Sequence, residues 1–183
     1  MGARYPQLIA FDLDYTLWDL WIDTHVTGPL RREGKELNNL YDRYGQEMSF
    51  YPDVPQILHR VRAADVKIAA CSRTAAIRLA REALSLLLLP PPKSNPGAEL
   101  MTAIEFFDHT EIYPTSKIVH FKELHKKTGI PYSEMLFFDD EHRNIEVESL
   151  GVTFCLVENG MDENVFDEGI KEWRRRQEKQ DSE

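Results

Sequence analysis

The sequence is poor in cysteine: the 183 residues hold only Cys71 and Cys155. Both sit in apolar, strand-like runs, in the spacing of neither a disulfide framework nor a zinc site, so they read as structural buried thiols. No apolar stretch approaches the ~18 residues of a membrane-spanning helix. The opening MGARYPQ has no hydrophobic region after a basic start. Gly2 stands where N-myristoylation needs it, but position six is Pro6 rather than serine or threonine. A cytoplasmic protein is expected, with passage into the nucleus open to so small a chain. Positive charge is the other deficit, with 22 Lys and Arg against 31 Asp and Glu and a net charge of −9. That balance argues against nucleic acid or an anionic membrane as partner, and any phosphate site must be locally positive. Internal repeats are absent, and the biased segments are LLLLPPP at 86–92 and the charged tail KEWRRRQEKQDSE.

What is present is an alternation. Strand-like runs at 7–12, 66–71, 110–113, 135–139 and 152–157 are separated by helical patterns at 53–64, 74–88, 116–128, 142–149 and 161–178. Gly129 and Gly151 are placed as helix stops. This rhythm predicts an α/β fold, a three-layer sandwich around a central parallel sheet, with 1–183 as a single domain and a C-terminal helix over 161–178. Two connections are longer than a crossover needs. Residues 18–51 read as a flap after the first strand. Residues 85–109, with Pro90, Pro91 and Pro92, read as an external, mobile excursion with little effect on chemistry.

The first strand runs into acid: LIAFDLDYTLWDLW, residues 8–21, drives an apolar run into Asp12 and Asp14. Side chains two residues apart in an extended chain point the same way, and burying like charges together is costly unless a cation or proton intervenes. Ligands of open parallel sheets bind beyond the carboxyl ends of the strands. Those positions hold Asp12, Asp14 and Thr16 after the first strand, Ser72, Arg73 and Thr74 after the second, and Asp139, Asp140, Glu141 and Asn144 after the fourth. PTSK places Lys117 in the first turn of a helix, where the dipole disfavours a cation unless an anion meets it.

These motifs resemble the haloacid dehalogenase (HAD) superfamily: DLDYT its first motif, CSRT its second, Lys117 its lysine and FFDDEHRN its acidic fourth. FDLDYTLW, WIDTHV, EIYPTSK and HKKTGIPYSEMLFFDDEHRN resemble more closely the magnesium-dependent phosphatase-1 family, over about residues 5–160. The resemblance implies a Rossmann-like HAD fold and an Mg²⁺-dependent phosphatase working through an aspartyl-phosphate. Asp12 would be the nucleophile and Asp14 the general acid and base. Asp12, the Asp14 backbone carbonyl and Asp140 would hold Mg²⁺, with Asp139, Asn144 and Thr16 supporting them by hydrogen bonds. Ser72 and backbone amides such as that of Leu13 would hold the phosphoryl oxygens, Lys117 would offset their charge and orient Asp12, and Arg73 would add a phosphate or substrate contact.

Trp18 and Trp21 are read as packing the flap base, His25 as merely hydrogen-bonded, and RRR at 174–176 as a solvated helix end. A cysteine-dependent tyrosine phosphatase is excluded, because Ile77 stands six positions after Cys71 where arginine is required. A dehalogenase would not need Asp14. A catalytically silent scaffold on this fold stays open, and its mark would be a lost motif residue. Neither long connection is large enough for a full capping domain. The expected partner is a phosphorylated small molecule or phosphoprotein, met by a monomer. Phosphotyrosine in proteins and small phosphosugars or glycated-amine phosphates stay equally open as substrates.

Overall fold

The computed structural model describes residues 4–180 and Ser182. In chain order its main elements are β1 (Leu8–Phe11), α1 (Ile22–His25), β2 (Leu40–Tyr41), β3 (Glu47–Met48), α2 (Val54–Ala63), β4 (Lys67–Ser72), α3 (Ile77–Leu86), β5 (Leu88–Leu89), β6 (Met101–Thr102), β7 (His109–Ile112), α4 (Lys117–Thr128), β8 (Met135–Asp139), β9 (Thr153–Leu156) and α5 (Glu163–Gln180). The five longer strands form one parallel sheet in the order β7-β4-β1-β8-β9. β1 lies at the centre and is buried throughout, which is why its sequence is continuously apolar.

Alternation along the strands divides the core between the two faces. Ile9, Phe11, Ile68 and Phe138 pack with residues of α2, α3 and α5, such as Ile57, Leu84 and Trp173. Leu8, Ala10, Cys71 and Phe137 pack with Phe121 and Leu124 of α4 and with Val147. Successive side chains of a strand point to opposite faces, and helices cover both. The result is the expected three-layer sandwich. Gly129 ends α4 with φ of +70°, a left-handed conformation that glycine adopts without strain, and Gly151 plays the same part with φ of +106°.

Two segments differ from expectation. Residues 142–149, predicted as an α-helix, form 3₁₀ turns over His142–Leu150. The segment is tied at its start, where the Asn144 amide donates to Asp139 Oδ2 at 2.8 Å and its backbone N–H to the Glu141 carbonyl at 3.0 Å. The 85–109 excursion is external only at its tip. Its roots carry the buried Leu87, Leu89, Ala103, Phe106 and Phe107, and β5 pairs with β6. A capping box between Thr102 and Glu105 fixes the 3₁₀ turn Ala103–Phe106. Among the described residues, no helix is long and apolar enough to cross a membrane.

Candidate active site

β4, β1 and β8 are neighbours in the sheet, so the residues at their carboxyl ends meet. Lys117 joins them as the first residue of α4, whose N-cap Ser116 accepts from the Ile118 N–H. The lysine side chain is almost fully buried. Its Nζ lies 2.8 Å from Asp12 Oδ1 and 2.9 Å from Asp139 Oδ2, and donates to the Cys71 carbonyl at 2.5 Å. Burial alone would lower the lysine's proton affinity, but the charges of Asp12 and Asp139 outweigh it and keep it cationic. Removing one partner of such a buried pair costs about 3–5 kcal/mol, because it leaves a charge unpaired in low dielectric.

Behind this contact runs a chain of polar groups. Arg73 Nη1 reaches Asn144 Oδ1 at 3.4 Å, and Asn144 Nδ2 donates to Asp139 at 2.8 Å. The Glu141 N–H occupies the other oxygen of Asp139 at 2.8 Å. Asp139 is therefore committed to holding Lys117 and its own loop. Thr16 bridges the two remaining acids: its Oγ1 lies 3.4 Å from Asp12 Oδ2 and 3.3 Å from Asp140 Oδ1, and it accepts from the Asp140 N–H at 3.1 Å.

Asp12, Asp139 and Asp140 each bring a carboxylate oxygen to within 4.8 Å of the others. Burial, reinforced by the charge of Asp12, raises the Asp139 carboxyl to about 7; burial and the charge of Asp139 raise Asp140 to about 6. Burial also pushes Asp12 upward against the pull of Lys117. Acids crowded in this way are short of positive charge, and a divalent cation would supply it. An all-oxygen donor set suits Mg²⁺, which keeps several waters and needs only one or two carboxylates. Asp12 and Asp140 have oxygen capacity left for it, as the resemblance implies.

The Asp14 side chain stands outside that acid cluster. Its Oδ1 accepts from Trp18 Nε1 at 2.7 Å and from the Ile22 N–H at 3.1 Å, so the acid is aimed by the first residues of the flap. Burial raises its proton affinity above that of a free aspartate, against the hydrogen bonds from Trp18 and the Ile22 N–H. Asp12, Asp14, Ser72, Arg73, Lys117 and Asn144 all line one cleft of about 260 Å³. Lys117, Arg73 and Arg143 make part of its wall cationic despite the net negative chain.

A sequence-family model described as Acid Phosphatase matches residues 4–176. The chain belongs to that family. A HAD-like hydrolase superfamily protein of Schizosaccharomyces pombe is 49% identical over 153 residues, covering 84% of this chain and 86% of the relative. Magnesium-dependent phosphatase 1 of Homo sapiens is 43% identical over 176 residues, covering 96% and 91%. Among solved structures, 3-deoxy-D-manno-octulosonate 8-phosphate phosphatase from Moraxella catarrhalis, in complex with magnesium, phosphate and KDO, superposes with a TM-score of 0.52 at 19% identity, covering 87% of this chain and 72% of that one. That likeness is one of fold, and the fold is the HAD-like α/β sandwich.

Within this acid phosphatase scaffold the residues singled out from sequence come together, Leu13 included. Its side chain is in the core and its carbonyl is taken by Thr16 and Leu17, so only its N–H is available to a ligand. Ser72 Oγ accepts from the Thr74 N–H at 3.2 Å and keeps its own hydroxyl hydrogen free to donate. Trp18 packs as expected, but Trp21 does not: it is 50% exposed and lines the cleft. Asp23 and Thr24 line it too, whereas His25 does not. Arg143 was missed by sequence reasoning although it lies inside FFDDEHRN; nothing distinguishes it there from a solvated surface arginine.

Proposed function

We propose that the protein is a Mg²⁺-dependent phosphomonoesterase that works through an aspartyl-phosphate, acting on phosphotyrosine in proteins or on small phosphosugars and glycated-amine phosphates. The reading is carried by one observation: Asp12 directly follows the central strand, is oriented by a buried lysine, and shares its cleft with a second acid, Asp14, anchored by Trp18 and the Ile22 N–H. Membership of the acid phosphatase family and the 43% identity to a relative named magnesium-dependent phosphatase support it. No motif residue is lost, so nothing favours a silent scaffold.

Asp12 attacks phosphorus with one carboxylate oxygen while the ester oxygen leaves with the phosphorus–oxygen electron pair. Asp14 gives that oxygen its proton. Water then attacks the acyl phosphate, Asp14 takes back a proton, and inorganic phosphate departs as the Asp12 carboxylate is restored. Lys117 offsets charge beside the nucleophile, and Ser72 with the Leu13 and Thr74 region holds the phosphoryl oxygens. Mg²⁺, held by Asp12, Asp140 and the Asp14 carbonyl, would supply neutralising charge to the transferring group.

The test is turnover of phenyl phosphate, a phosphotyrosyl peptide and a hexose phosphate by purified protein before and after chelation. Activity should vanish with the metal and return with Mg²⁺, and less so with Ca²⁺, whose larger and looser shell misplaces Asp12. Full activity after exhaustive metal removal would end this reading.

A further inference from the structure

Asp14 is aimed by the flap and not by the sheet. Its Oδ1 accepts from the Trp18 indole at 2.7 Å and from the Ile22 N–H at 3.1 Å, and this second donor is the first residue of α1. That helix is a single turn of four residues, Ile22–His25, and the side chain of its N-cap, Trp21, makes no capping bond. So short a turn is not stable by itself, because its few bonds do not offset the cost of fixing its backbone. Something beyond the ordinary helical ladder must hold it.

His25 does so. Its backbone N–H donates to the Trp21 carbonyl at 2.8 Å, and its ring Nδ1 accepts from the Trp21 N–H at 3.0 Å. Residue 25 therefore grips residue 21 by both of its backbone groups, the second bond being the reciprocal arm of a capping box moved one residue along the chain. The imidazole and indole planes lie 6° apart with centroids at 5.8 Å, which limits how far the imidazole can turn Nδ1 away. A ring nitrogen that accepts carries no proton, so this imidazole is neutral with its hydrogen on Nε2. His25 itself is exposed, and its side chain lines a hollow with Tyr15, Asp19 and Met48 instead of the catalytic cleft. It reaches the reaction only through the backbone of Trp21 and the N–H that follows.

We propose that His25 is a positioning residue for the general acid: as a neutral acceptor it fixes the Trp21–Ile22 peptide, so that the Ile22 N–H keeps Asp14 turned to the leaving oxygen. The inference rests on the phosphatase reading above. An acid slightly out of line costs most where the leaving oxygen most needs a proton. Phenolate departs poorly without one, whereas nitrophenolate departs well. The ratio kcat/KM reports the barrier up to phosphoryl transfer onto Asp12, so lost aim appears there as a steeper dependence on the leaving group. A flap that had only loosened its packing would lower kcat/KM for both esters alike.

The experiment measures kcat/KM for phenyl phosphate and nitrophenyl phosphate, with Mg²⁺ at about pH 7.5 where imidazole is generally neutral, in native protein, His25→Phe and His25→Asn. Phenylalanine keeps a ring for the stack but has no acceptor. Asparagine has no ring, but its Oδ1 is attached to Cγ as Nδ1 is and can take the Trp21 N–H. His25→Phe should lower kcat/KM about tenfold for phenyl phosphate and less than about twofold for the nitrophenyl ester, and His25→Asn should restore most of the loss. Nitrogen NMR of the native protein at the same pH should find His25 with its hydrogen on Nε2; a hydrogen on Nδ1 would refute the geometry without reference to turnover. Equal losses on the two esters, or a loss that His25→Asn does not repair, would mean that His25 serves only the packing of the flap and would overturn the proposal. Native kinetics in His25→Phe would overturn it as well. If native protein with Mg²⁺ hydrolyses neither ester, the phosphatase reading itself falls, and this inference with it.

Discussion

Two long connections interrupt the alternation of strand and helix, and they resemble each other in construction. The flap folds back on the two-residue pair β2-β3, and the proline-rich excursion on the two-residue pair β5-β6. Each sends apolar residues into the same core, Leu20, Leu40 and Phe50 from one, Leu87, Leu89 and Phe106 from the other. Yet the flap lines the cleft with Trp21, Asp23 and Thr24, while Pro92, Lys93 and Ser94 of the excursion line a separate hollow beside α2. The difference lies in where each leaves the sheet. The flap departs from the carboxyl end of β1, while the excursion runs from the end of α3 toward the amino end of β7. In a parallel sheet only the first kind of connection meets the ligand side, whatever its length or content.

The sharpest test of the flap side is the pair of aspartates that precede it. Asp12→Asn removes the attacking oxygen and a metal ligand, and turnover should fall by at least about 10⁴-fold with no phosphoenzyme formed. Asp14→Asn keeps an Oδ1 that can still accept from Trp18 and Ile22, so the flap stays attached while the proton is lost. Turnover should drop about 10²–10³-fold. With a nitrophenyl ester, whose leaving group needs little protonation, an acid-stable and hydroxylamine-sensitive phosphoenzyme should accumulate in Asp14→Asn and be absent in Asp12→Asn. Mass spectrometry that placed the label on Asp14 or Ser72 would break the assignment of roles.

A smaller effect separates the two ends of the sheet by charge. In the cation-free protein burial holds Asp139 at about 7 and Asp140 at about 6, above the 3.8 of an unburied aspartate. Raised values mean that the folded state binds these protons more tightly than the unfolded one. The stability these two carboxyls contribute therefore decreases as pH climbs from about 4 through 7, a change that exceeds the opposite contribution of the single buried His120, held at about 4. With chelator present, melting should occur at a higher temperature at pH 5.5 than at pH 8, and Mg²⁺ should raise Tm more at pH 8, by about 3 °C or more. An Mg²⁺ shift equal at both pH values would remove Asp12 and Asp140 from the metal site.

Much of this was legible because it depends on local pattern. Continuous apolar runs such as Leu8–Phe11 and Met135–Phe138 mark strands buried on both faces, and the topology of parallel sheets then says where to look for chemistry. What was not legible depends on partners far away in sequence. Trp21 has the composition of a packing residue, and only the geometry of Tyr15 and His25 leaves it in the cleft. A supporting part for Asp139 and Asn144 is implied by the resemblance, but that Lys117 and Asn144 share one oxygen of Asp139, Oδ2, follows only from the fold. The excursion's prolines signal an external segment, and they outweighed the leucines and phenylalanines at its roots, whose burial follows from the core they meet.

The smallest effect belongs to the excursion, and it is the one that tests the comparison itself. Between Leu89 and Met101 the chain makes a loop whose tip, Lys93–Gly97, is exposed. Its internal bonds are local, from the Asn95 N–H to Pro92 and from the Ala98 N–H to Asn95, so removing it orphans no buried group. Deleting 91–97 would leave Pro90 and residues 98–100, enough to close the β5-β6 pair, and would keep the Pro90 carbonyl that meets His59 Nε2 at 2.8 Å. A shorter loop costs less entropy to close, by about 1 kcal/mol when eleven residues become four, so Tm should hold or rise slightly. kcat and KM for phenyl phosphate should stay within about twofold, since no residue of the tip reaches the cleft. A loss beyond about tenfold with folding intact would show that the excursion, too, belongs to the site, and that departure from the carboxyl end of a strand is not what decides participation.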